Sequence, residues 1–260
     1  MTARTLPRRR FALLFAMTTV AAAVAMPAAP ALAGIWGNNN IEGNGRVKTE
    51  TRSVSGFHGV SMSLPGSVEV RIGNTESISI ETDDNLLPLI ETVVENGTLK
   101  IRSNKKNIGF DSKHMKLVVQ AKSLDKLALG GSGTILADSL RGPKISIDLG
   151  GSGTIDVKGV DTDSLDIDLG GSGDLKVANG RANKLSLSIA GSGNVDLGRL
   201  QSIGAKASIA GSGDATINVR DALDVSIVGS GNVNYYGDPK LNRSVMGSGS
   251  ATRMGAAKQK

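Results

Sequence analysis

The tripeptide Gly-Ser-Gly occurs seven times in the second half of the chain, at a nearly constant spacing. Successive copies are separated by 20, 20, 20, 20, 18 and 18 residues. Self-similarity at such a period is typical of solenoids, in which each unit is too small to bury its own apolar face and stacks on its neighbours. The structural turn glycines expected at the corners are Gly131, Gly133, Gly151, Gly153, Gly171, Gly173, Gly191, Gly193, Gly211, Gly213, Gly229, Gly231, Gly247 and Gly249.

Apolar and polar residues alternate on both sides of each Gly-Ser-Gly. Residues 145–149 read Ile-Ser-Ile-Asp-Leu and residues 185–189 read Leu-Ser-Leu-Ser-Ile, the period-2 pattern of half-buried strands. An antiparallel meander would also use short turns, but the fixed register favours parallel strands stacked coil on coil. We therefore predict an all-β, single-domain parallel β-helix (β-solenoid) with coils of about 20 residues. Its interior ladder is predicted to contain Ile147, Ile167, Leu187, Ala207, Val225 and Val245.

The solenoid domain is predicted to span residues 46–253. Residues 46–120 lack Gly-Ser-Gly but keep the alternation, so we expect less regular coils there, followed by the Gly-Ser-Gly repeats over residues 121–253. Within the irregular part, the segment around Pro88 is predicted to hold a short helical turn. Residues 34–45, rich in Gly and Asn, are predicted to form a flexible leader, and residues 254–260 a polar tail.

The amino terminus has the features of a signal peptide. Residues 1–33 combine a basic start with four arginines, an apolar stretch from Phe11 to Met26, and Ala-Leu-Ala before Gly34. This apolar stretch is shorter than the ~20 residues needed to span a bilayer, which favours cleavage after Ala33 over a membrane anchor. We therefore expect an exported protein, in the periplasm, at the cell surface or outside the cell, with no integral membrane segment after cleavage.

Loss of this segment changes the charge balance. The full chain has a net charge of +6, but residues 1–33 carry four arginines and no acid, so the remainder carries +2. A nucleic-acid partner requires a basic surface, and this nearly balanced charge argues against one. The chain has no cysteine, which excludes disulfide bonds and lipid attachment through an amino-terminal cysteine.

The repeated tripeptide does not match a known catalytic or ligand-binding motif. A nucleophilic serine needs a base, and the two histidines, His58 and His114, lie outside the repeats. No Gly-Lys-Ser/Thr follows, as a phosphate-binding loop requires, and the period differs from the calcium-binding nonapeptide. We therefore predict no catalytic residue, metal site or cofactor, and expect the glycines to supply positive φ and the serines to hydrogen-bond locally.

Aspartates at equivalent outward positions are the strongest indication of enzymatic chemistry. Asp148 and Asp168 are one repeat apart, and Asp156 and Asp196 are two repeats apart. Stacked carboxylates can act as acid and base or hold a cation, whereas the alternative interpretation is that they belong to solvated strand faces. Serines fill the position of Asp148 in the later repeats, namely Ser188, Ser208, Ser226 and Ser244.

Aromatic platforms for carbohydrate are few outside the signal segment. Tyr235 is predicted to point inward, which leaves Tyr236 as the more available ring. The complete set after residue 33 is Trp36, Phe57, Phe110, Tyr235 and Tyr236.

Four motifs in a fixed order indicate a family. They are Val-Ser-Gly-Phe-His-Gly-Val at 54–60, Asp-Asp-Asn-Leu-Leu-Pro at 83–88, Asn-Gly-Thr-Leu at 96–99, and Gly-Ser-Gly-Asn-Val beginning at Gly191 and Gly229. With these motifs the chain resembles the head GIN domain family, an auto-transporter adhesin family of unknown function. The resemblance implies a β-helical domain at or beyond the cell envelope, and it carries over no catalytic residues.

The sequence thus favours an exported, non-enzymatic, adhesin-like or envelope-associated binding module. Its partner would be a cell-surface polymer, an envelope protein or another copy of itself. One alternative is a polysaccharide lyase or hydrolase on a β-helix, with Asp148, Asp156 and Asp168 as its carboxylates. Another is a structural envelope protein that self-assembles through its open terminal coils.

Overall fold

Parallel strands stacked in register form the Gly-Ser-Gly region of the computed structural model, which describes residues 40–258. Ile147 pairs with Ile167, and Ile167 with Leu187, at the 20-residue period of the repeat. The predicted all-β parallel β-helix is therefore confirmed. Its strands are β10 (Lys126–Gly131), β11 (Thr134–Gly151), β12 (Thr154–Gly171), β13 (Asp174–Val177), β14 (Gly180–Gly191), β15 (Asn194–Gly211), β16 (Asp214–Gly229), β17 (Asn232–Tyr236), β18 (Lys240–Gly247) and β19 (Ser250–Gly255).

Each coil has three strand segments, which stack into three faces. In β11, residues 134–137, 139–142 and 144–151 pair with the residues twenty further along in β12. We call the stacks that contain these segments the first, second and third face, respectively. The Gly-Ser-Gly corner leads from the third face of one coil into the first face of the next.

The two glycines of a corner are needed for different reasons. Gly151 has a φ of 113°, which a residue with a side chain rarely adopts, and a Cβ there would lie 2.6 Å from the carbonyl oxygen of Gly131. Gly153 has no positive φ, but a Cβ there would lie 2.5 Å from the carbonyl oxygen of Gly133. The first glycine thus makes the turn, while both allow successive corners to approach closely.

The backbone N–H groups of the corner serines bond across coils. The backbone N–H of Ser152 donates to the carbonyl oxygen of Gly131 at 3.0 Å, and that of Ser172 donates to Gly151 at 2.9 Å. All seven corner serines are exposed. These backbone bonds connect each turn to the preceding coil, whereas local hydrogen bonding of the serine hydroxyls stays a prediction.

The interior ladder is filled by apolar side chains, as predicted, except at its last member. Ile147, Ile167, Leu187, Ala207 and Val225 are each at most 3% exposed. The next position in register is occupied by Arg243, whereas Val245 pairs with Ile227 and is 38% exposed. The prediction of Val245 was wrong because the final repeats have shortened to 18 residues.

The amino-terminal half contains two coils and three antiparallel strands. β3 stacks in parallel between β10 and β7, and β4 between β11 and β9, which continues the third and first faces. β5 pairs antiparallel with β9 and β2, and β6 pairs antiparallel with β7. The strands are β1 (Asn40–Glu42), β2 (Val47–Ser53), β3 (Gly59–Met62), β4 (Ser67–Ile72), β5 (Ser77–Asp83), β6 (Ile90–Glu95), β7 (Thr98–Ser103), β8 (Gly109–Asp111) and β9 (Lys116–Ala121).

The prediction of irregular coils over residues 46–120 therefore holds in part. Four of the strands form the two coils, but β2, β5 and β6 close this end of the core as antiparallel strands. Alternation of apolar and polar residues is the same in both strand directions, so it could not distinguish them. The predicted helical turn near Pro88 is a 3-10 helix at Leu87–Leu89.

The boundaries of the folded part are wider than predicted. β1 pairs with β8, and the backbone N–H of Gly45 donates to Asp83 Oδ1 at 2.6 Å, so residues 40–45 are not a flexible leader. At the other end, β19 continues to Gly255, within the predicted tail. The predicted signal peptide lies outside the described residues. Within residues 40–258 no helix is long and apolar enough to cross a membrane.

Candidate binding groove

The aspartates considered for catalysis lie on different faces. Asp148 and Asp168 are neighbours on the third face, as predicted, and Asp148 Oδ2 lies 3.4 Å from the Nζ of Lys126. Asp156 belongs to the first face, where it is separated from Asp196 by Lys176 in the coil between them. The structure therefore brings Asp148 and Asp168 side by side but leaves Asp156 and Asp196 apart from them and from each other. Within residues 40–258, His, Asp and Glu side chains form no group of three that could hold a metal ion.

The corner serines also lack a base. His58 Nδ1 lies 2.8 Å from Asp125 Oδ1, at the start of β10, whereas the corner follows the end of that strand. The backbone N–H of His114 donates to the hydroxyl of Ser112, in the amino-terminal half. A serine nucleophile at the corners is thus not supported by either histidine.

Four adjoining depressions run along the second face and its borders. Their volumes are about 360, 350, 520 and 320 Å³. Arg141 lines the first three and Arg181 the last three, so the depressions form one continuous groove across successive coils. We call it the arginine groove. Its charged lining residues are Lys122, Asp138, Arg141, Lys158, Asp161, Asp163, Arg181, Arg199, Arg220 and Lys258.

Small residues create the space in the centre of the groove. Ser139, Gly159 and Gly180 line the 350 Å³ depression and contribute little or no side chain. Arg141 and Arg181 lie two coils apart in the same register, with Asp161 between them. The depression is therefore bounded by long charged side chains over small residues.

The groove differs in charge from the rest of the repeat region. It is lined by seven basic residues and three aspartates, an excess of four positive charges. The remainder of residues 121–258 contains eight basic and eleven acidic residues, an excess of three negative charges. The nearly balanced charge of the chain therefore conceals one basic surface.

Ion pairs hold several of these side chains in place. Arg181 donates two hydrogen bonds to the carboxylate of Asp161, at 2.7 and 3.2 Å, and this raises the pKa of Arg181. Lys158 Nζ lies 2.7 Å from Asp138 Oδ1, and its hydrogen bond lowers the pKa of Asp138. Both carboxylates thus form ion pairs with cations of the groove.

Two arginines in the centre of the groove are not neutralised in this way. Arg141 and Arg199 are exposed, and neither forms an ion pair within the described part of the chain. Both line the same 350 Å³ depression. Their guanidinium groups are therefore available to a ligand at the middle of the groove.

The far end of the groove is partly occupied by the end of the chain. Gln201 Nε2 and Asn218 Nδ2 donate to the backbone oxygen of Lys258, at 3.3 and 3.1 Å. The Nζ of Lys258 lies 4.0 Å from the centre of the Tyr236 ring. Tyr235 is buried, as predicted, but Tyr236 is partly covered and is not the open platform that the sequence suggested.

Sequence reasoning missed this groove. Its arginines do not follow the Gly-Ser-Gly mark, and Arg199 and Arg220 are outside the 20-residue register of Arg141 and Arg181. The available signal was the sequence Arg141, Asp161, Arg181, which has the period of the repeat. This pattern could not indicate that side chains at other positions of the repeat, such as that of Arg199, line the same depression.

Comparisons with known proteins agree with this architecture. The family model described as "Putative auto-transporter adhesin, head GIN domain" matches residues 56–239. A crystal structure described as a putative adhesin from Bacteroides fragilis is 25% identical, with a TM-score of 0.76, over 83% of this chain and 100% of that chain. One described as a putative lipid binding protein from Parabacteroides distasonis is 28% identical, with a TM-score of 0.69, over 83% and 99%. No curated protein matches the chain.

A further solved structure supports the fold alone. It is described as a putative adhesin from Parabacteroides merdae and is 21% identical to this chain. The similarity covers 83% of this chain and 99% of that chain, with a TM-score of 0.66. The same solenoid architecture is therefore kept at low sequence identity.

Proposed function

The chain belongs to the head GIN domain family, and we propose that it is an exported, non-enzymatic binding module of the cell envelope. The observation that carries this proposal is the arginine groove, a set of adjoining depressions with an excess of positive charge, built across several coils. Support also comes from the similarity to a structure described as an adhesin. A regular scaffold that presents an extended surface suits binding to a partner that is itself extended.

The absence of enzymatic activity is proposed on geometric grounds. A glycoside hydrolase needs two carboxyl groups that flank one bond. Asp148 and Asp168 are neighbours on the third face, but the Asp148 carboxylate is paired with Lys126 at 3.4 Å. Asp156 lies on the first face, so the three carboxylates do not converge on one site. A lyase or hydrolase reaction is therefore the weaker of the two functions.

Self-assembly through the carboxy-terminal coil is a second candidate. Among residues 40–258, β18 and β19 pair on one side only, with β16 and β17, and Met246 on β18 is 72% exposed. Unpaired strand edges can add further strands. Opposing this, Arg243 places a charge at the end of an apolar ladder, a device that discourages edge pairing.

Export is proposed from the amino-terminal residues. Amino-terminal sequencing of the protein recovered from cell fractions tests it directly. We expect Gly34 as the first residue, in protein recovered from the periplasm, the cell surface or the medium. Protein that retains residues 1–33 and remains in the cytoplasm would contradict the proposal.

Binding and turnover can be tested in a single experiment. The full chain is purified and incubated with a panel of surface polysaccharides and envelope proteins, and both retained ligand and newly released sugar ends are measured. Saturable retention without product supports a binding module. Product release that is lost in Asp148→Asn or Asp168→Asn would instead make the protein an enzyme.

A further inference from the structure

We propose that the arginine groove binds an anionic polysaccharide that lies along the solenoid and carries carboxylate, sulfate or phosphate groups. This rests on the proposed binding function and names its ligand class. The groove spans several coils, and the two ends of the described lining contain different cations, Lys122 and Lys258. A small anion would fill one depression, whereas a polymer would contact all four.

The positive charge of the arginine groove favours an anionic ligand. The groove carries an excess of four positive charges, while the rest of residues 121–258 carries an excess of three negative charges. A polyanion is therefore attracted to the groove and repelled by the surfaces around it. This contrast steers the ligand to one face even though the whole chain is nearly neutral.

The arginines supply suitable partners for anionic groups. Guanidinium groups form paired hydrogen bonds with carboxylate and phosphate oxygens. Arg141 and Arg199 are free of ion pairs in the described part of the chain, and Arg181 is held in place by Asp161. Arg141 and Arg181 lie two strand spacings apart, about 10 Å, so they can engage successive charges of one polymer.

Side-chain amides beside the arginines suit a ligand rich in hydroxyl groups. Asn179 Nδ2 donates to the backbone oxygen of Lys158, and Asn183 Nδ2 donates to Asp163. Their side-chain Oδ1 atoms accept no hydrogen bond within residues 40–258, so these atoms can accept hydroxyl protons. The groove thus combines cations for the acidic groups with acceptors for sugar hydroxyls.

A polysaccharide fits better than a nucleic acid. Proteins that bind single-stranded nucleic acids combine a basic groove with aromatic rings on which bases stack. The ring nearest to this groove, Tyr236, is partly covered by Lys258, and the described lining itself contains no aromatic residue. Nucleic acid is therefore the competing outcome of the test rather than the proposed ligand.

The test uses the full chain and compares two double variants by isothermal titration calorimetry. Arg141→Gln with Arg199→Gln removes two charges from the centre of the groove. Lys176→Gln with Lys240→Gln removes two exposed charges that line none of the four depressions and form no ion pair in the described part of the chain, so the net charge is matched. The probes are polygalacturonate, heparin, polyglycerol phosphate, neutral dextran and single-stranded DNA.

We expect at least one charged polysaccharide to bind. Its affinity should be lowered about tenfold in the groove variant and less than about twofold in the control variant. The probe that binds most tightly identifies the acidic group of the ligand as carboxylate, sulfate or phosphate. Equal losses in both variants, binding of dextran as tight as that of charged probes, or tighter binding of DNA would overturn the proposal. If a polysaccharide binds and neither variant weakens its binding, the arginine groove is not the binding surface, but the proposed binding function stands. Binding of no ligand, here or in the wider panel, would refute both.

Discussion

The corner glycines allow a sharp test of why the repeat is conserved along this chain. We consider Gly151→Ala, with Gly150→Ala as the matched control at the neighbouring position. Gly151 has a φ of 113°, and a Cβ there would lie 2.6 Å from Gly131 O. Gly150 has no positive φ, its Cβ would lie 3.9 Å from the nearest atom, Leu129 O, and alanine fills this position two coils later.

The expected destabilisation has two parts. An unfavourable backbone conformation in a residue with a side chain destabilises the fold by about 1–3 kcal/mol. Overpacking against the corner of the preceding coil adds about 1–3 kcal/mol, because the contact is with backbone that cannot rotate away. Gly151→Ala should therefore lower the free energy of unfolding by about 2–6 kcal/mol. Gly150→Ala should change it by less than about 1 kcal/mol, with either sign.

Urea denaturation followed by far-ultraviolet circular dichroism measures this difference. We expect a clearly lower midpoint for Gly151→Ala and a midpoint close to that of the unchanged protein for Gly150→Ala. A thermal scan should show a decrease of roughly 5–20 °C for the first variant alone. If both variants unfold at the same midpoint, close stacking of the corners is not the reason that glycine is required at the position of Gly151.

Three further predictions concern the core, the groove and the terminal coil. Ile147→Ala should lower the free energy of unfolding, measured by urea titration, by about 2–5 kcal/mol, because the Ile147 side chain is fully buried. A loss below about 1 kcal/mol would contradict the stabilising role of the interior ladder. Lys158 lowers the pKa of Asp138 in the folded protein. The ion pair therefore contributes fully to stability above the ordinary aspartate pKa of about 4, and this contribution is lost as the pH falls through the lowered pKa of Asp138. Asp138→Asn should therefore flatten the acid side of the stability–pH profile, and an unchanged slope would exclude this pair as its source. Arg243→Val removes the charge that follows Val225 in the ladder. We expect this variant to assemble in a concentration-dependent way, as measured by size-exclusion chromatography. A variant that stays monomeric would show that the charge does not protect this strand edge.

The repeat made the carboxy-terminal fold predictable, because a fixed period fixes the register. Asp148 and Asp168 pair as expected, and four of the five later ladder positions follow from Ile147. The exception, Val245, shows that register must be counted from the local spacing rather than from the mean period. The antiparallel strands β2, β5 and β6 were not predictable, since alternation specifies a strand but not its direction.

The groove was not predictable for a different reason. A side chain's exposure follows from its place in the alternation, but the convergence of side chains depends on the path of the chain between the first and third faces. Arg199 has the repeat position of Ser139, Gly159 and Asn179 rather than that of Arg141, yet it lines the same depression as Arg141. Pairing information was also absent from the sequence, so which arginines Asp161 engages emerged only from the structure.

The most direct measurement is nuclear magnetic resonance of the arginine side-chain Nε–H signals during titration with the charged oligosaccharide that binds best. We expect the signals of Arg141, Arg181 and Arg199 to shift together and to saturate at one concentration. Signals of the terminal coil, such as that of Arg243, should remain in place. Shifts of Arg243 without any change at Arg141 and Arg199 would contradict the assignment of the groove as the binding surface.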